Sequence, residues 1–191
     1  MSSLKGGSNL ITRWECRFDD PLSQLAAKHG TDKLKWYTGF YHELLKDRRN
    51  AKKVMELGIL NGASLRMWRD YFPLAIIYGL DHDKNALIQE NRIYSLWFEQ
   101  SEVGTYPFGN DYDFIVEDAS HQWNHQMTAL LALAPILAPG GIYIMEDTGY
   151  MPIEEVERKA SEIPYPYEVV EFINPELQRM GDRGSCIVVR P

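Results

Sequence analysis

A short apolar run that ends in glycine, turns, and opens a helix after a second glycine constrains this chain more than any other feature. It reads Val54-Met55-Glu56-Leu57-Gly58-Ile59-Leu60-Asn61-Gly62-Ala63-Ser64-Leu65. The run before Gly58 has the length and apolar character of a buried strand, and Leu65, Trp68 and Phe72 repeat at helical spacing after Gly62. Glycine at both ends of the turn lets the backbone bend sharply and approach a ligand closely. Ser64 is placed to cap the helix. Asp81 closes the next apolar run, 19 residues beyond Gly62. An acidic side chain there accepts hydrogen bonds from ribose hydroxyls. The predicted element is the nucleoside-binding βαβ unit of a Rossmann-like fold. The spacing is Glu-Leu-Gly-x-x-x-Gly rather than Gly-x-Gly-x-x-Gly, so the loop lacks the pyrophosphate fingerprint. It suits S-adenosylmethionine, which carries no phosphate, with Glu56 near the ligand's ammonium. A strand–turn–helix junction with merely structural glycines is the alternative.

The rest of the chain continues the alternation. Strands are predicted at Ala75 to Leu80, Ile93 to Phe98, Tyr112 to Val116 and Ile142 to Met145. Helices are predicted at Leu22 to Lys28, Tyr37 to Leu45, Ser64 to Phe72, Lys84 to Arg92, His121 to Leu137 and Ile153 to Ile163, with a turn at Pro139-Gly140-Gly141. Alternating strands and helices imply a mostly parallel sheet covered on both faces. Two late strands, Tyr167 to Ile173 and Ser185 to Arg190, have no predicted helix between them and are expected to pair as an antiparallel hairpin at one edge. Residues 1–20 are expected to form a partly ordered tail.

Two strands run into acidic clusters, Glu117-Asp118-Ala119-Ser120-His121 and Glu146-Asp147-Thr148. Both fall at the carboxyl edge of the sheet, where ligands bind in open α/β folds. The first, fourth and fifth strands should be neighbours, so Asp118, Glu146 and Asp147 converge beside the glycine loop. Clustered carboxylates repel one another, and a hard divalent cation relieves that; oxygen-only donors favour Mg²⁺ over Zn²⁺. The alternative is that Asp118 and Asp147 cap the helices that follow. His121 is a candidate base for a substrate hydroxyl. His125 lies one turn later, but Gln122 stands where an HExxH zinc motif needs glutamate.

Composition sets the outer limits. The chain has 191 residues with 45% hydrophobic and 25% charged residues, enough for one cored domain. A formal net charge of −7 disfavours nucleic acid as a partner. Two cysteines, Cys16 and Cys186, suggest no disulfide framework and fit a reducing compartment. There is no apolar leader before Asp20, and the helix interrupted by Pro135 is too short to span a bilayer, so a soluble cytoplasmic protein is expected. Oligomeric state, a homo-oligomer included, is left open.

Together these residues resemble the demethylmacrocin-type O-methyltransferases, metal-dependent enzymes that methylate sugar hydroxyls on natural products. The match runs through Gly30-Thr31-Asp32-Lys33, Tyr37-Thr38 and Tyr41. It is strongest at Glu56-Leu57-Gly58 and at Gly62-Ala63-Ser64-Leu65-Arg66-Met67-Trp68-Arg69-Asp70-Tyr71-Phe72-Pro73. It continues through Tyr78-Gly79-Leu80-Asp81, Glu117 to His121 and Pro139 to Asp147, so that it covers roughly residues 25 to 150. The resemblance implies a class I methyltransferase fold with a seven-stranded sheet. It implies a cofactor pocket of Gly58, Asn61, Gly62, Ser64, Leu65, Asp81 and Asp118, with Gln100 near the adenine and Tyr37 covering the cofactor from a helical N-terminal segment, residues 1–50, over a Rossmann-like unit, residues 51–191. It implies Mg²⁺ at Asp118, Glu146 and Asp147, a base at His121 and a small hydroxylated acceptor. The chain departs from the family at Glu117 in place of aspartate, Ala119 in place of glycine, and Lys35-Trp36 where a histidine is usual. The additional N-terminal domain of larger relatives is expected to be missing. Competing functions are a non-methylating cyclisation or elimination on the same cofactor, an oxygenase akin to cephalosporin hydroxylases, and a non-catalytic interaction module.

Overall fold

The computed structural model describes residues 11–101 and 109–191. The expected ordering of residues 1–10 lies outside them. Nine strands form one mixed sheet among the described residues, in the order β1-β8-β9-β7-β6-β2-β3-β5-β4. They are β1 (Ile11–Glu15), β2 (Lys53–Leu57), β3 (Ile76–Asp81), β4 (Gln89–Glu90), β5 (Ile93–Trp97), β6 (Tyr112–Glu117), β7 (Leu137–Met145), β8 (Tyr167–Ile173) and β9 (Gly184–Val189). The expected seven-stranded count is therefore corrected to nine. The two additions are β1, drawn from the expected tail, and the two-residue β4.

The glycine unit forms as read. β2 lies parallel between β3 and β6, and β7 follows β6, so the first, fourth and fifth predicted strands are neighbours. Alternate residues of β2 face opposite ways. Val54 joins one core and Met55 and Leu57 the other. The first core packs beneath α1 (Pro21–His29), α2 (Thr38–Leu45) and α3 (Ala63–Tyr71). The second packs beneath α4 (Trp123–Leu133) and α5 (Ile153–Ala160). Helices thus cover both faces.

Three local expectations change. The segment from Lys84 to Arg92 is not a helix. The Asp83 carboxylate accepts the Asn85 amide at 2.9 Å, Ile88 is tied to Ser95 Oγ, and Arg92 has φ +60°, so turns and the short β4 replace it. The β8–β9 pair is antiparallel but not at an edge. β1 extends the sheet beyond β8 in parallel, and the short helix α6 (Pro175–Arg179) sits in the connection. The helix after β6 begins at Trp123 rather than His121, because His121 has φ +55°. It gives way at Ala134 to a 3₁₀ turn containing Pro135. Pro139-Gly140-Gly141 lies inside β7, where the register with β6 jumps from Tyr112/Leu137 to Phe114/Ile142. No described helix is long and apolar enough to cross a membrane.

Candidate functional site

Two cavities of about 600 and 590 Å³ meet at the carboxyl edge of the sheet. The first is lined by Gly58, Asn61, Ser64, Asp81, Gln100 and Asp118 of the expected cofactor set, together with Gly30, Thr31 and His121. Gly58 is demanded by its surroundings: φ is +89°, and a Cβ there would lie 1.9 Å from the carbonyl oxygen of Asp118. The glycine loop and the acidic loop after β6 are therefore backbone against backbone. Gly62 heads α3 with φ +76°, and its own geometry, rather than a Ser64 cap, starts the helix; the Asn61 side chain accepts the Ala63 amide at 3.0 Å. The Asp81 carboxylate accepts the Ile59 amide at 2.7 Å and the Asp83 amide at 2.8 Å, so it fixes the floor of this cavity. Leu65 is fully buried in the core behind the loop.

Glu56 and Tyr37 lie apart from this lining. Glu56 is fully buried, and its Oε2 accepts Trp68 Nε1 at 3.0 Å. Tyr37 lines the second cavity, and its hydroxyl donates to Asp147 Oδ1 at 2.5 Å. Gln100 donates to Glu117 Oε1 at 2.5 Å, and its own carbonyl accepts the Ser120 amide at 3.0 Å. Burial pushes the Glu117 carboxyl up to about 7.

Between the cavities stand Asp118 and Asp147, which line both. Ligand atoms of Asp118, His121 and Asp147 lie within 4.8 Å of one another. His121 Nε2 is 3.7 Å from Asp147 Oδ2, while its Nδ1 is buried with no hydrogen-bond partner. Asp147 has φ +53° and caps nothing with its side chain, and α4 begins at the Gln122 cap, well past Asp118. The capping alternative is thus not what these aspartates do. Glu146 is fully buried next to them; its Oε1 accepts the Tyr41 hydroxyl at 2.7 Å and its Oε2 accepts Lys33 Nζ at 2.7 Å. Burial raises the Glu146 carboxyl well above its ordinary value and the Asp147 carboxyl above its own, against the pull of Lys33 on the first and the Tyr37 hydroxyl on the second. His125 is turned away, with Nδ1 3.1 Å from Ser120 Oγ.

Lys33 was given no role from the sequence. It comes from a 3₁₀ turn, Asp32–Lys35, whose start is capped by Thr31. Its ammonium reaches Asp118 Oδ2 at 2.6 Å, Glu146 Oε2 at 2.7 Å and Glu56 Oε1 at 3.0 Å, the last as an ion contact without hydrogen-bond alignment. Burial acts to lower its pKa, but the carboxylates outweigh burial and hold it well above the usual lysine value. Tyr41, part of the family-like string, and Tyr150, one of the aromatic residues the sequence offers for an acceptor pocket, join the site as well; the Tyr150 ring lies 5.8 Å from that of His121 and lines both cavities. Only the family-like Gly30-Thr31-Asp32-Lys33 string hinted at Lys33, since a lone lysine in a polar turn reads as solvated.

No protein-family model matches the chain. Among curated proteins it is 36% identical over 148 residues to 8-demethyl-8-(2-methoxy-alpha-L-rhamnosyl)-tetracenomycin-C 3'-O-methyltransferase of Streptomyces olivaceus, covering 69% of this chain and 38% of that one. It is 34% identical over 149 residues to demethylmacrocin O-methyltransferase of Streptomyces fradiae, with 69% and 38% covered. The chain thus spans well under half the length of these relatives. Among solved structures, the MycE methyltransferase from the mycinamycin biosynthetic pathway, in complex with Mg and SAH, superposes with a TM-score of 0.61 at 33% identity over 67% of this chain and 37% of that one. The plantazolicin methyltransferase BpumL, at 13% identity, shares the fold over 91% of both chains with a TM-score of 0.62. The resemblance to the demethylmacrocin-type O-methyltransferases is borne out, and the Rossmann-like methyltransferase fold with it.

Proposed function

We propose, taking kinship with the macrolide and tetracenomycin sugar O-methyltransferases as the premise, that this chain is an S-adenosylmethionine-dependent O-methyltransferase acting on a hydroxyl of a sugar-bearing small molecule. The observation that carries the reading is the shared wall: Asp118 and Asp147 close the glycine-loop cavity on one side and a second cavity on the other. Donor and acceptor then meet across one pair of carboxylates.

The residues fit both groups. The first cavity has the size of a nucleoside-bearing ligand, and the missing Cβ of Gly58 lets the acidic loop after β6 pack against the glycine loop at its wall. Gly58, Asn61, Gly62 and Ser64 form the loop and helix start beside the ligand, Asp81 takes the ribose hydroxyls, Gln100 lies toward the base, and residues 30–32 cover the cavity from the N-terminal segment. Leu65 and Glu56 support the loop from behind, and Tyr37 acts through Asp147. Asp118, Glu146 and Asp147 supply the oxygen donors that Mg²⁺ prefers. Bound there, Mg²⁺ supplies Lewis acidity that lowers the pKa of an acceptor hydroxyl.

His121 takes the proton of that hydroxyl at Nε2. Its nitrogen stands close enough to Asp147 to be a metal donor too, but Mg²⁺ selects oxygen, which leaves the imidazole for proton transfer. Tyr37 and Tyr41 hold the Asp147 and Glu146 carboxylates by their hydroxyls. The protein's further contribution is orientation, since positioning two reactants removes much of the entropic barrier.

An oxygenase reading loses support from the same geometry. The second histidine it needs, His125, is engaged with Ser120 rather than the cluster.

The test is twofold. Mass spectrometry of the purified chain, with and without Mg²⁺, should show bound S-adenosylmethionine or its demethylated product. With S-adenosylmethionine and a panel of glycosylated polyketides, product should form with Mg²⁺ and stop on chelation. His121→Ala should lower turnover by about 10²–10⁴-fold while leaving cofactor affinity within about twofold. Turnover unaffected by a chelator would remove the metal from the reading, and full activity in His121→Ala would remove the base.

A further inference from the structure

The turn before α2 sends a lysine into the most acidic part of the interior, and stability alone does not account for it. An ammonium loses its water on burial, and apolar side chains in place of the lysine and its carboxylates together would fill the same space without that cost. Lys33 is 2% exposed and contacts carboxylates from three adjacent strand ends: Glu56 on β2, Asp118 just after β6 and Glu146 just after β7. The other oxygen of Glu56 is held by Trp68 and that of Glu146 by Tyr41. Glu56 and Glu146 are therefore each fixed at one oxygen by an aromatic side chain's donor, and Lys33 holds the other oxygen of each together with Asp118 Oδ2. Three like charges this close would otherwise rotate apart.

We infer that Lys33 is a positioning residue of the metal site: its ammonium fixes Asp118, a member of the Asp118–His121–Asp147 group, and ties it to Glu146 beside Asp147 and to Glu56 behind the glycine loop. The inference rests on the metal reading above. Lys33 does not compete with the ion but assembles its ligands before the ion arrives, as supporting contacts orient metal ligands generally. It also makes the glycine-loop strand and the metal ligands one mechanical unit.

The test uses Mn²⁺ as probe, titrated into the full chain and followed by electron paramagnetic resonance, with no turnover involved. Lys33→Met, near in shape and uncharged, should weaken Mn²⁺ at least tenfold while circular dichroism stays native. Because that variant leaves three carboxylates without their cation, two of them fully buried, the charge-relieved double variant Lys33→Met with Glu56→Gln provides the same readout in a chain freed of one of them, and should show the same loss. Lys33 also lines the second cavity, which opens a route for a small amine. In Lys33→Ala, propylammonium matches the missing stem and should restore Mn²⁺ affinity, which a general packing role would not produce. Unchanged or tighter Mn²⁺ binding in the folded variants overturns the inference and leaves the metal site standing. A wild-type chain that binds no Mn²⁺ overturns both.

Discussion

Lys33 and Asp70 are mirror images with opposite consequences. Lys33 is one cation held by three anions, Glu56, Asp118 and Glu146, with its side chain 1% exposed. Asp70 is one anion held by Lys28, His29 and Arg69, with its side chain 21% exposed. At Asp70 the surplus charge reaches water, and the cluster does little more than pin α1 to α3. At Lys33 the surplus is negative; Glu56 and Glu146 lie out of reach of water, while Asp118 and Asp147 open onto the cavities, where a further cation can enter. The same arithmetic of charge gives a structural clasp on the surface and a candidate ligand site inside, because the dielectric response differs.

Stability is where the two should differ most. Lys33→Met should cost about 3–5 kcal/mol in urea unfolding at pH 7, the range for breaking one side of a buried ion pair, and Glu56→Gln in the same chain should recover part of it. A cost below about 1 kcal/mol would break the contrast. Next, saturating Mg²⁺ should raise thermal stability, by about 2.7 kcal/mol at a concentration one hundred times its dissociation constant, and Asp147→Asn should abolish that gain while Asp70→Asn leaves it intact. Third, Asp70→Asn should cost about 1 kcal/mol or less, shrinking further in high salt.

The smallest expected effect is in acid. Burial by itself would raise the Asp70 carboxyl, but hydrogen bonds from Lys28, His29 and Arg69 bring it well below the usual carboxylate range. Its stabilising contribution is therefore complete above the unfolded-state pKa of about 4 and is lost as pH falls below that. Unfolding curves of wild type and Asp70→Asn should converge over that interval. Curves that remain parallel would assign the clasp to packing instead.

Much of this molecule was legible before its fold. The glycine loop, Asp81 at the next strand end, and the acidic ends of two further strands could be placed at one sheet edge, because strand and helix periods are local and the order of parallel strands follows topological rules. The segment after Asp83 was misread as helix because its short apolar pattern does not reveal the Asx turn or the pairing with β5. β1 was missed because its partner, β8, is more than 150 residues away: Ile11 pairs with Val169. Glu117 departs from the family in the sequence, but its engagement by Gln100, 17 residues earlier on a different strand end, is a tertiary contact.

The sequence by itself determined the Gly58–Gly62 turn, the acidic strand ends and His121, since each depends on residue type and short spacing. Tertiary structure decided which charges meet. Lys33, Tyr37 and Tyr41 come from the N-terminal helices, and their partners Asp118, Glu146 and Asp147 lie 85 to 113 residues further along the chain. Nothing in local spacing encodes such encounters; they follow from the packing of α2 and the turn before it over the sheet, which delivers hydroxyls and an ammonium to carboxylates that would otherwise be crowded together without partners.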